Sequence, residues 1–415
     1  MQALPLCGLG LLSIFWVWWS LSIWMHTGLF YLLGVDWGMF WAAAHSFRVA
    51  GPTSIYDLNH LANFVRPLGN YYGSGAKILK VNPVPYPPLF VLLVMPFSLV
   101  GPGVGFVLWT VANSAAAGWV SAKLARRVGL PGWLVIPMVL LSVPLGDGLL
   151  VGQPVGLLLL AFYQLYVELE NGREVRAGVW GGILLLKPQY AIVLLLVFVL
   201  KRRFSVLAGF TVTASVLGLT SLMFLGPAGI LDLIHSMTGY ASGFRATSIR
   251  MAPQEMISWR GLLAAVLPIV PDRVGILATI ALSLATLMAI PFIWRGRWDP
   301  SSEQFHMRML GTMIVTMLVG FDVHIHGAVL LIVPLMLASF GSLSHGQLRK
   351  TTVLAAYALP FLAMALVLVW ARPFMVCVAV LFMCFQLASL WFVLSTEYRS
   401  HAAPANQASS LPLAA

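Results

Sequence analysis

Residues 204–225 read FSVLAGFTVTASVLGLTSLMFL, which is 22 residues without a charged side chain, directly after Lys201-Arg202-Arg203. A bilayer-spanning α-helix needs about 20 consecutive apolar residues. Lipid offers no hydrogen-bond partner to the backbone, so a continuously apolar run of this length has to be helical. A transmembrane β-barrel would instead show segments of about ten residues with alternating polarity. This stretch therefore predicts an α-helix that crosses a membrane.

The same composition extends along the whole chain. Of its 415 residues, 60% are hydrophobic and 9% are charged, and the mean hydropathy is +0.90. Soluble domains carry about 25% charged residues, so this chain lacks the charges to cover a water-exposed surface. The net charge of +11 fits basic residues at membrane edges, where they meet anionic headgroups. No basic domain stands apart from the membrane, so nucleic acid is not an expected partner.

Clusters of basic residues divide the apolar runs and predict their orientation. Short loops rich in Lys and Arg stay in the cytoplasm. The five clusters are Lys123 to Arg127, Arg173 with Arg176, Lys201 to Arg203, Arg295 with Arg297, and Arg349 with Lys350. Placing all five in the cytoplasm predicts twelve helices, near residues 5–25, 103–122, 132–150, 154–167, 176–187, 189–200, 204–225, 274–294, 308–321, 327–341, 351–370 and 374–394.

The prediction is thus an all-α polytopic membrane protein with one transmembrane domain over residues 1–400 and a short cytoplasmic tail at 401–415. The first helix is read as retained, not as a removed signal peptide. Two long loops, 26–103 and 226–273, face outward, and long loops are usually functional. The first loop should contain an amphipathic helix over Trp37–Arg48 and a second over Asn59–Leu68, both at the membrane interface. The apolar run Pro87–Val100 is too short to span and stays on the outer side.

Acidic residues are few, which makes those on the outer side informative. Asp36 directly follows the first predicted helix. It is either a cap for the next helix or an ionisable group at the mouth of the bundle, where charge is costly and usually functional. Asp57 is read as a helix cap or turn residue. Asp147 and Gln153 lie among Gly and Pro residues at a broken helix end, and irregular backbone at membrane depth is tolerated where it lines a cavity.

Four cations lie deep in the bundle or on its outer side, against the topology rule. Lys187 interrupts an apolar stretch in Lys187-Pro188-Gln189-Tyr190, and either snorkels to the interface or binds a phosphate. Arg245, Arg250 and Arg260 lie in the second outer loop. Their anionic partner is either the lipid headgroups or a lipid-linked phosphate.

Two histidines, His324 and His326, lie between two late helices in Phe321-Asp322-Val323-His324-Ile325-His326. A pair at i, i+2 is a weak metal signal, because no third ligand has a matching spacing. No metal site or other cofactor is predicted, and a divalent metal is left open.

These residues form an ordered series that resembles glycosyltransferase family 87. The series comprises Asp36, Tyr56, Tyr86-Pro87-Pro88-Leu89-Phe90, Gly152-Gln153, Ala177-Gly178 and Lys187-Pro188. The resemblance covers about residues 30–340. The histidine segment matches the family's Trp-Asp-His-His type of segment only in part.

The resemblance implies the C-type membrane glycosyltransferase fold and transfer of a sugar, most often mannose, from a polyprenyl phosphate carrier to a lipid or glycan acceptor. It makes Asp36 the general base and predicts inversion at the anomeric carbon. Lys187, Arg245, Arg250 and Arg260 would bind the carrier phosphate. The residues assigned to substrate binding are Tyr56, Tyr86, Asp147, Gln153, Gln189, His324 and His326.

The predicted location is the bacterial inner membrane, with the active site on the periplasmic or extracellular side. Partners are then the sugar donor, the acceptor and the surrounding lipids. A transporter or lipid flippase is the competing class, but it should show a charged path to both faces. A noncatalytic scaffold for envelope assembly would leave the outer acids unexplained.

Overall fold

A computed structural model describes residues 35–71, 84–140, 142–241, 253–340 and 372–407. The predicted helices at 5–25 and 351–370, the cation pair Arg349 and Lys350, and the loop arginines Arg245 and Arg250 lie outside these ranges. Within them the chain is helical and contains no strand. One isolated antiparallel bridge joins Met256 to His324.

The described α-helices are sixteen, and six short 3₁₀ helices connect several of them. The α-helices are α1 (Val35–Ala50), α2 (Leu58–Tyr71), α3 (Pro88–Val94), α4 (Pro102–Val128), α5 (Gly132–Leu140), α6 (Val143–Val151), α7 (Val155–Glu170), α8 (Glu174–Gly182), α9 (Ile192–Leu200), α10 (Phe204–Ala241), α11 (Trp259–Val266), α12 (Asp272–Leu287), α13 (Ala289–Ile293), α14 (Glu303–Val319), α15 (Ile332–Phe340) and α16 (Arg372–Gln407). The 3₁₀ helices are Pro52–Tyr56, Met95–Leu99, Ile183–Leu186, Pro188–Tyr190, Pro253–Glu255 and Ile325–Leu331.

Four of the described helical stretches are long and apolar enough to cross a membrane: Pro102–Val128, Phe204–Thr238, Asp272–Ile293 and Val376–Ser395. The bent pair α5–α6 would make a fifth. The prediction of twelve spans is therefore supported only in its coarser form, a multi-span helical membrane protein. The other predicted spans in the described ranges are shorter or broken helices. At a rise of 1.5 Å per residue they fall short of the roughly 30 Å of hydrocarbon.

The basic clusters in the described ranges lie together at one end of the bundle, called here the basic end. The contacts that show this are the ion pairs Arg127–Glu170 and Arg203–Glu174 and the hydrogen bonds from Lys201 Nζ to the carbonyls of Trp294 and Gly296. The shared end agrees with the alternation that the clusters predicted.

The segment with Lys187 is a helical hairpin. Glu174 opens its first arm and Arg203 follows its second, and the ion pair between them closes its base at the basic end. Each arm is about a dozen residues, or roughly 20 Å as helix. The tip, Lys187-Pro188-Gln189, thus lies half-buried in the bundle, well away from the basic end.

The first outer segment folds as predicted into two helices, α1 and α2. Asp57 caps α2, since its Oδ1 accepts from the backbone N–H groups of Asn59 and His60 at 2.9 and 3.1 Å. The apolar run after Tyr86 forms the short helix α3 and a 3₁₀ turn, and does not span. A compact aromatic cluster of Trp37, Phe40, Tyr86, Phe90 and Trp109 packs α1, α3 and the start of α4 together.

The second outer loop differs from its prediction. The chain bends at Gly226, whose φ is +65°, and then continues as helix to Ala241. We predicted a loop over residues 226–241 because the apolar run of the spanning helix ends at Leu225. The bend at Gly226 lies directly after that end, and the helix resumes beyond it. Short helix α11 follows at Trp259–Val266.

Candidate active site

Asp36 lies in the first described turn of α1. Its Oδ2 accepts a hydrogen bond of 2.5 Å from Nε2 of Gln153, 117 residues later in the chain. The side chain is partly exposed, so a ligand can reach it. The carboxylate is therefore anchored on one side by a distant element and open on another.

Gln153 is held in place by the tight turn between α6 and α7. Gly152 has φ +89° there, and a Cβ at this position would lie 2.5 Å from Cβ of Trp37. Trp109 Nε1 donates to the Gly152 carbonyl at 2.8 Å. Only glycine combines this backbone conformation with so close an approach. The turn thus presses directly against α1 beside Asp36.

Tyr86 completes this half of the site. Its hydroxyl donates to Oε1 of Gln153 at 2.9 Å, and its backbone carbonyl accepts from the Tyr56 hydroxyl at 2.8 Å. The Tyr86 ring is stacked on Phe90, with centroids 4.1 Å apart. Two predicted substrate-binding residues, Tyr86 and Gln153, therefore form one hydrogen-bonded chain that ends on Asp36.

Lys187 brings the positive charge. Its Nζ lies 3.3 Å from Nε2 of His326 and 5.8 and 5.9 Å from the ring centroids of Tyr86 and Tyr190. It also lies within electrostatic range of Asp36. An ammonium is donor only, so His326 must accept through Nε2 in its neutral form.

His326 and His324 each lie beside a carboxylate. Nδ1 of His326 is 3.3 Å from Oδ2 of Asp147, and Nε2 of His324 is 3.3 Å from Oδ1 of Asp322. The two imidazole rings are stacked at 5.7 Å. With Nε2 accepting from Lys187, the proton of His326 is on Nδ1 and points at Asp147. This pairing fixes the imidazole that faces the lysine.

Two side chains donate hydrogen bonds to backbone carbonyls of the turn at Asp322. Gln189 Nε2 donates to its carbonyl at 2.9 Å, and Arg260 Nη1 donates to the neighbouring Phe321 carbonyl at 3.0 Å. Burial opposes ionisation of Asp322. The bond to His324 and the nearby Lys187 and Arg260 outweigh it and lower the pKa of Asp322 below its ordinary value. Asp322 is therefore a carboxylate in the folded protein.

Arg260, predicted to bind the carrier phosphate, lies in the interior. Its side chain is 1% exposed and its guanidinium covers the Phe321 ring at 4.5 Å. In this position it supports the turn that carries Asp322 and His324. Sequence reasoning could not anticipate this, because a cation in an outer loop gives no sign of the aromatic ring it packs on.

The structure brings together ten of the twelve predicted site residues, and Arg245 and Arg250 lie outside the described ranges. Two further residues belong to the cluster, Asp322 and Tyr190. Both lie within the segments that the sequence analysis singled out, so proximity in sequence to His324 and Lys187 was the available signal. Within the described ranges, no group of three His, Cys, Asp or Glu side chains could hold a metal ion.

The arrangement combines a carboxylate that can take a proton with a half-buried ammonium that can stabilise negative charge. The family model of glycosyltransferase family 87 matches residues 85–320, which covers Tyr86, Gln153, Lys187 and Arg260. Searches of the curated proteins and of the solved structures find no match to the chain.

Proposed function

The chain belongs to glycosyltransferase family 87, and from that premise we propose that it transfers mannose from a polyprenyl phosphate carrier to a lipid or glycan acceptor. It is a membrane glycosyltransferase; the sugar, the carrier and the side of the membrane are the content of the proposal. The observation that carries it is the geometry that links Lys187 to Asp36: Lys187 Nζ lies 5.8 Å from the centroid of the Tyr86 ring, and Tyr86 is hydrogen-bonded through Gln153 to Asp36. A group suited to a phosphate thus lies near a group suited to a hydroxyl.

Asp36 is the proposed general base. The acceptor oxygen attacks the anomeric carbon, its proton passes to the carboxylate, and the bond from that carbon to the phosphate oxygen breaks. The carrier phosphate leaves with the electron pair. Attack opposite to the leaving group inverts the configuration, and the transition state resembles an oxocarbenium ion, as in glycoside hydrolysis.

Lys187 is the proposed electrophilic partner. A phosphate leaves without needing a strong acid, but its developing charge needs a cation in a water-poor setting. Lys187 supplies that cation at the half-buried tip of the hairpin. His326, oriented by Asp147, accepts one of its hydrogen bonds and leaves its other donors to a ligand.

The test is transfer of radiolabelled mannose from a polyprenyl phosphate by purified protein in the presence of membrane lipids. Asp36→Asn keeps the shape of the side chain but cannot take the proton. General-base catalysis typically contributes about 10²–10⁴-fold, so turnover should fall by at least about 100-fold while donor binding is retained.

Asp57→Asn is the matched control. Asp57 is an exposed carboxylate on the same outer segment and caps α2. Because Asp and Asn are both good caps, this variant should retain full turnover. A folded Asp36→Asn protein that keeps more than about a tenth of the wild-type rate would contradict the proposed role of Asp36 as general base, given the rate contribution expected of such catalysis. Carriers with glucose or arabinose, and nucleotide-linked mannose, test the donor separately.

A further inference from the structure

A buried chain of hydrogen bonds runs from Tyr86 through Gln153 to Asp36. The Tyr86 and Gln153 side chains are 3% and 7% exposed. The two bonds, of 2.9 and 2.5 Å, join three separate parts of the chain. Each of these residues was assigned above to substrate binding or catalysis, yet Tyr86 and Gln153 are hydrogen-bonded to each other.

The direction of both bonds follows from the chemistry of Asp36. An ionised carboxylate can only accept, so the Gln153 group that faces it must be the NH₂. That orientation turns the Gln153 carbonyl toward Tyr86, and the Tyr86 hydroxyl must then donate. The accept-only carboxylate thus fixes which end of the amide faces it, and the Tyr86 hydroxyl holds the amide in that position by donating to its oxygen.

We propose that Tyr86 and Gln153 are positioning residues that act on the reaction only through Asp36. The hydrogen-bonded chain from Tyr86 through Gln153 to Asp36 is called here the relay. Because Gln153 occupies Oδ2 of Asp36, the acceptor's proton would go to Oδ1. The relay would thereby determine which carboxylate oxygen acts as the base. This inference rests on the proposed function, since it needs Asp36 as the base. It replaces the substrate contacts that the sequence analysis assigned to these two residues.

The surroundings make the relay rigid. The Tyr86 backbone carbonyl accepts from Tyr56, and the Tyr86 ring packs edge-on against Phe40 of α1 at 5.3 Å. Gln153 follows the Gly152 turn that presses on Trp37. Catalytic groups held by packed elements and supporting hydrogen bonds keep the geometry that reaction needs.

Two variants test the relay in the mannose-transfer assay. Tyr86→Phe removes the hydroxyl and leaves the ring in place, and kcat should fall about 10-fold, the size of one side-chain hydrogen bond. Gln153→Glu puts a second carboxylate against Asp36, and kcat should fall about 100-fold because like charges at this distance cannot both be ionised. In both variants KM for the donor and retention of radiolabelled polyprenyl phosphate-mannose should stay unchanged.

The decisive measurement repeats both changes in the Asp36→Asn protein. Residues that act through Asp36 should cost nothing further once the carboxylate is gone, whereas independent effects multiply. Tyr166→Phe is the matched control: Tyr166 is a buried tyrosine at the basic end whose hydroxyl meets His306 Nδ1 at 3.1 Å. It loses a comparable hydrogen bond and should keep the wild-type kcat.

Three outcomes would overturn the inference. A raised KM or weaker donor retention with unchanged kcat means that Tyr86 and Gln153 touch the substrate. Losses of the same size with and without the carboxylate mean that they do not act through Asp36. An unchanged kcat in both single variants would contradict the positioning role of Tyr86 and Gln153 but would leave Asp36 as the proposed base. An active Asp36→Asn protein would instead contradict the role of Asp36 as the base. If Gln153→Glu fails to fold, Tyr86→Phe decides alone.

Discussion

At the scale of single residues, placing Lys187 in an apolar bundle is energetically costly. A lysine near the centre of a bilayer costs about 2.5–3.5 kcal/mol on insertion scales. The site offsets part of this cost with the His326 lone pair and the faces of two tyrosine rings. The carboxylates of Asp322 and Asp36 also attract the ammonium. The hydrogen bond to His326 uses only one of its three donors and leaves the others to an anionic ligand.

Lys187→Met should therefore weaken donor binding without unfolding the protein. The variant keeps most of the side-chain length and removes the charge. A charge-assisted hydrogen bond contributes about 1.5–3 kcal/mol, so retention of radiolabelled polyprenyl phosphate-mannose should drop roughly 10- to 150-fold. Thermal unfolding in detergent should show an unchanged or higher midpoint, because a half-buried charge has been removed.

Lys201→Met is the control for that variant. Lys201 donates to two backbone carbonyls at the basic end, so it shares the chemistry of Lys187 but not its location. Its loss should leave donor retention at the wild-type level. If Lys187→Met also binds the donor normally, the phosphate is held elsewhere, and Arg245 and Arg250 become the candidates to test next.

At the scale of elements, the turn between α6 and α7 decides where Gln153 points. Gly152→Ala should disrupt this turn through two separate effects. A left-handed backbone costs an alanine about 1–2 kcal/mol, and the new Cβ would lie 3.0 Å from the Trp37 nitrogen and closer still to its Cβ. Since α1 must shift, we expect at least a tenfold loss of kcat, given that misplacement by about 1 Å can cost 10²-fold.

Gly172→Ala separates the two effects. Gly172 has φ +69°, but a Cβ there meets nothing within 4 Å, and its turn lies at the basic end. It should lower the unfolding temperature through the backbone cost and leave the transfer rate intact. Equal losses of rate in both variants would mean that global stability, not the approach to Trp37, limits activity.

The elements also show what sequence could predict. Basic clusters predicted that the ends of α4, α7 and α9 meet, because charge placement follows the membrane and needs no knowledge of packing. Gly152-Gln153-Pro154 predicted a broken helix end, since Gly and Pro act locally. That the turn would press against Trp37 was out of reach, because it depends on contacts between residues more than a hundred positions apart.

The same distinction applies within the site. Asp36 and Lys187 could be selected as candidates because each is a rare charge in an apolar context, which is a local property. The contacts of Arg260 and Gln153 could not be predicted, because they depend on the Phe321 ring and the Tyr86 hydroxyl that the fold brings to them. The helix after Gly226 was also missed, since the bend that ends one span does not reveal that helix resumes.

At the scale of the whole molecule, α4 runs from the site to the basic end, so its length gives the distance between them. Its first residue, Pro102, accepts a hydrogen bond from Trp37 beside Asp36, and Arg127 in its last turn is ion-paired at the basic end. Its 27 residues span about 40 Å at 1.5 Å per residue, more than the roughly 30 Å hydrocarbon core. We therefore predict that the Asp36 side of the site and the basic clusters face opposite leaflets, with the site on the external one if the basic clusters follow the positive-inside rule.

Cysteine labelling tests that orientation directly. In a background lacking Cys7, Cys377 and Cys384, Thr53→Cys and Ser301→Cys each place one thiol at an exposed position. Thr53 lies in the turn after α1 at the site end, and Ser301 follows Arg295 and Arg297 at the basic end. An impermeant thiol reagent should label Thr53→Cys in intact cells and label Ser301→Cys only after the membrane is opened.

The reverse pattern would place Asp36 toward the cytoplasm, although every distance in the site would be the same. A donor carried by a lipid would then have to be used on the leaflet where nucleotide-linked sugars are also available, and the proposed choice of carrier would lose its topological support. Labelling of both positions in intact cells would mean that the cells leak, which a cytosolic cysteine marker detects. The labelling pattern and the donor competition assay thus test the side of the membrane and the carrier independently, and agreement between them is what the proposed function requires.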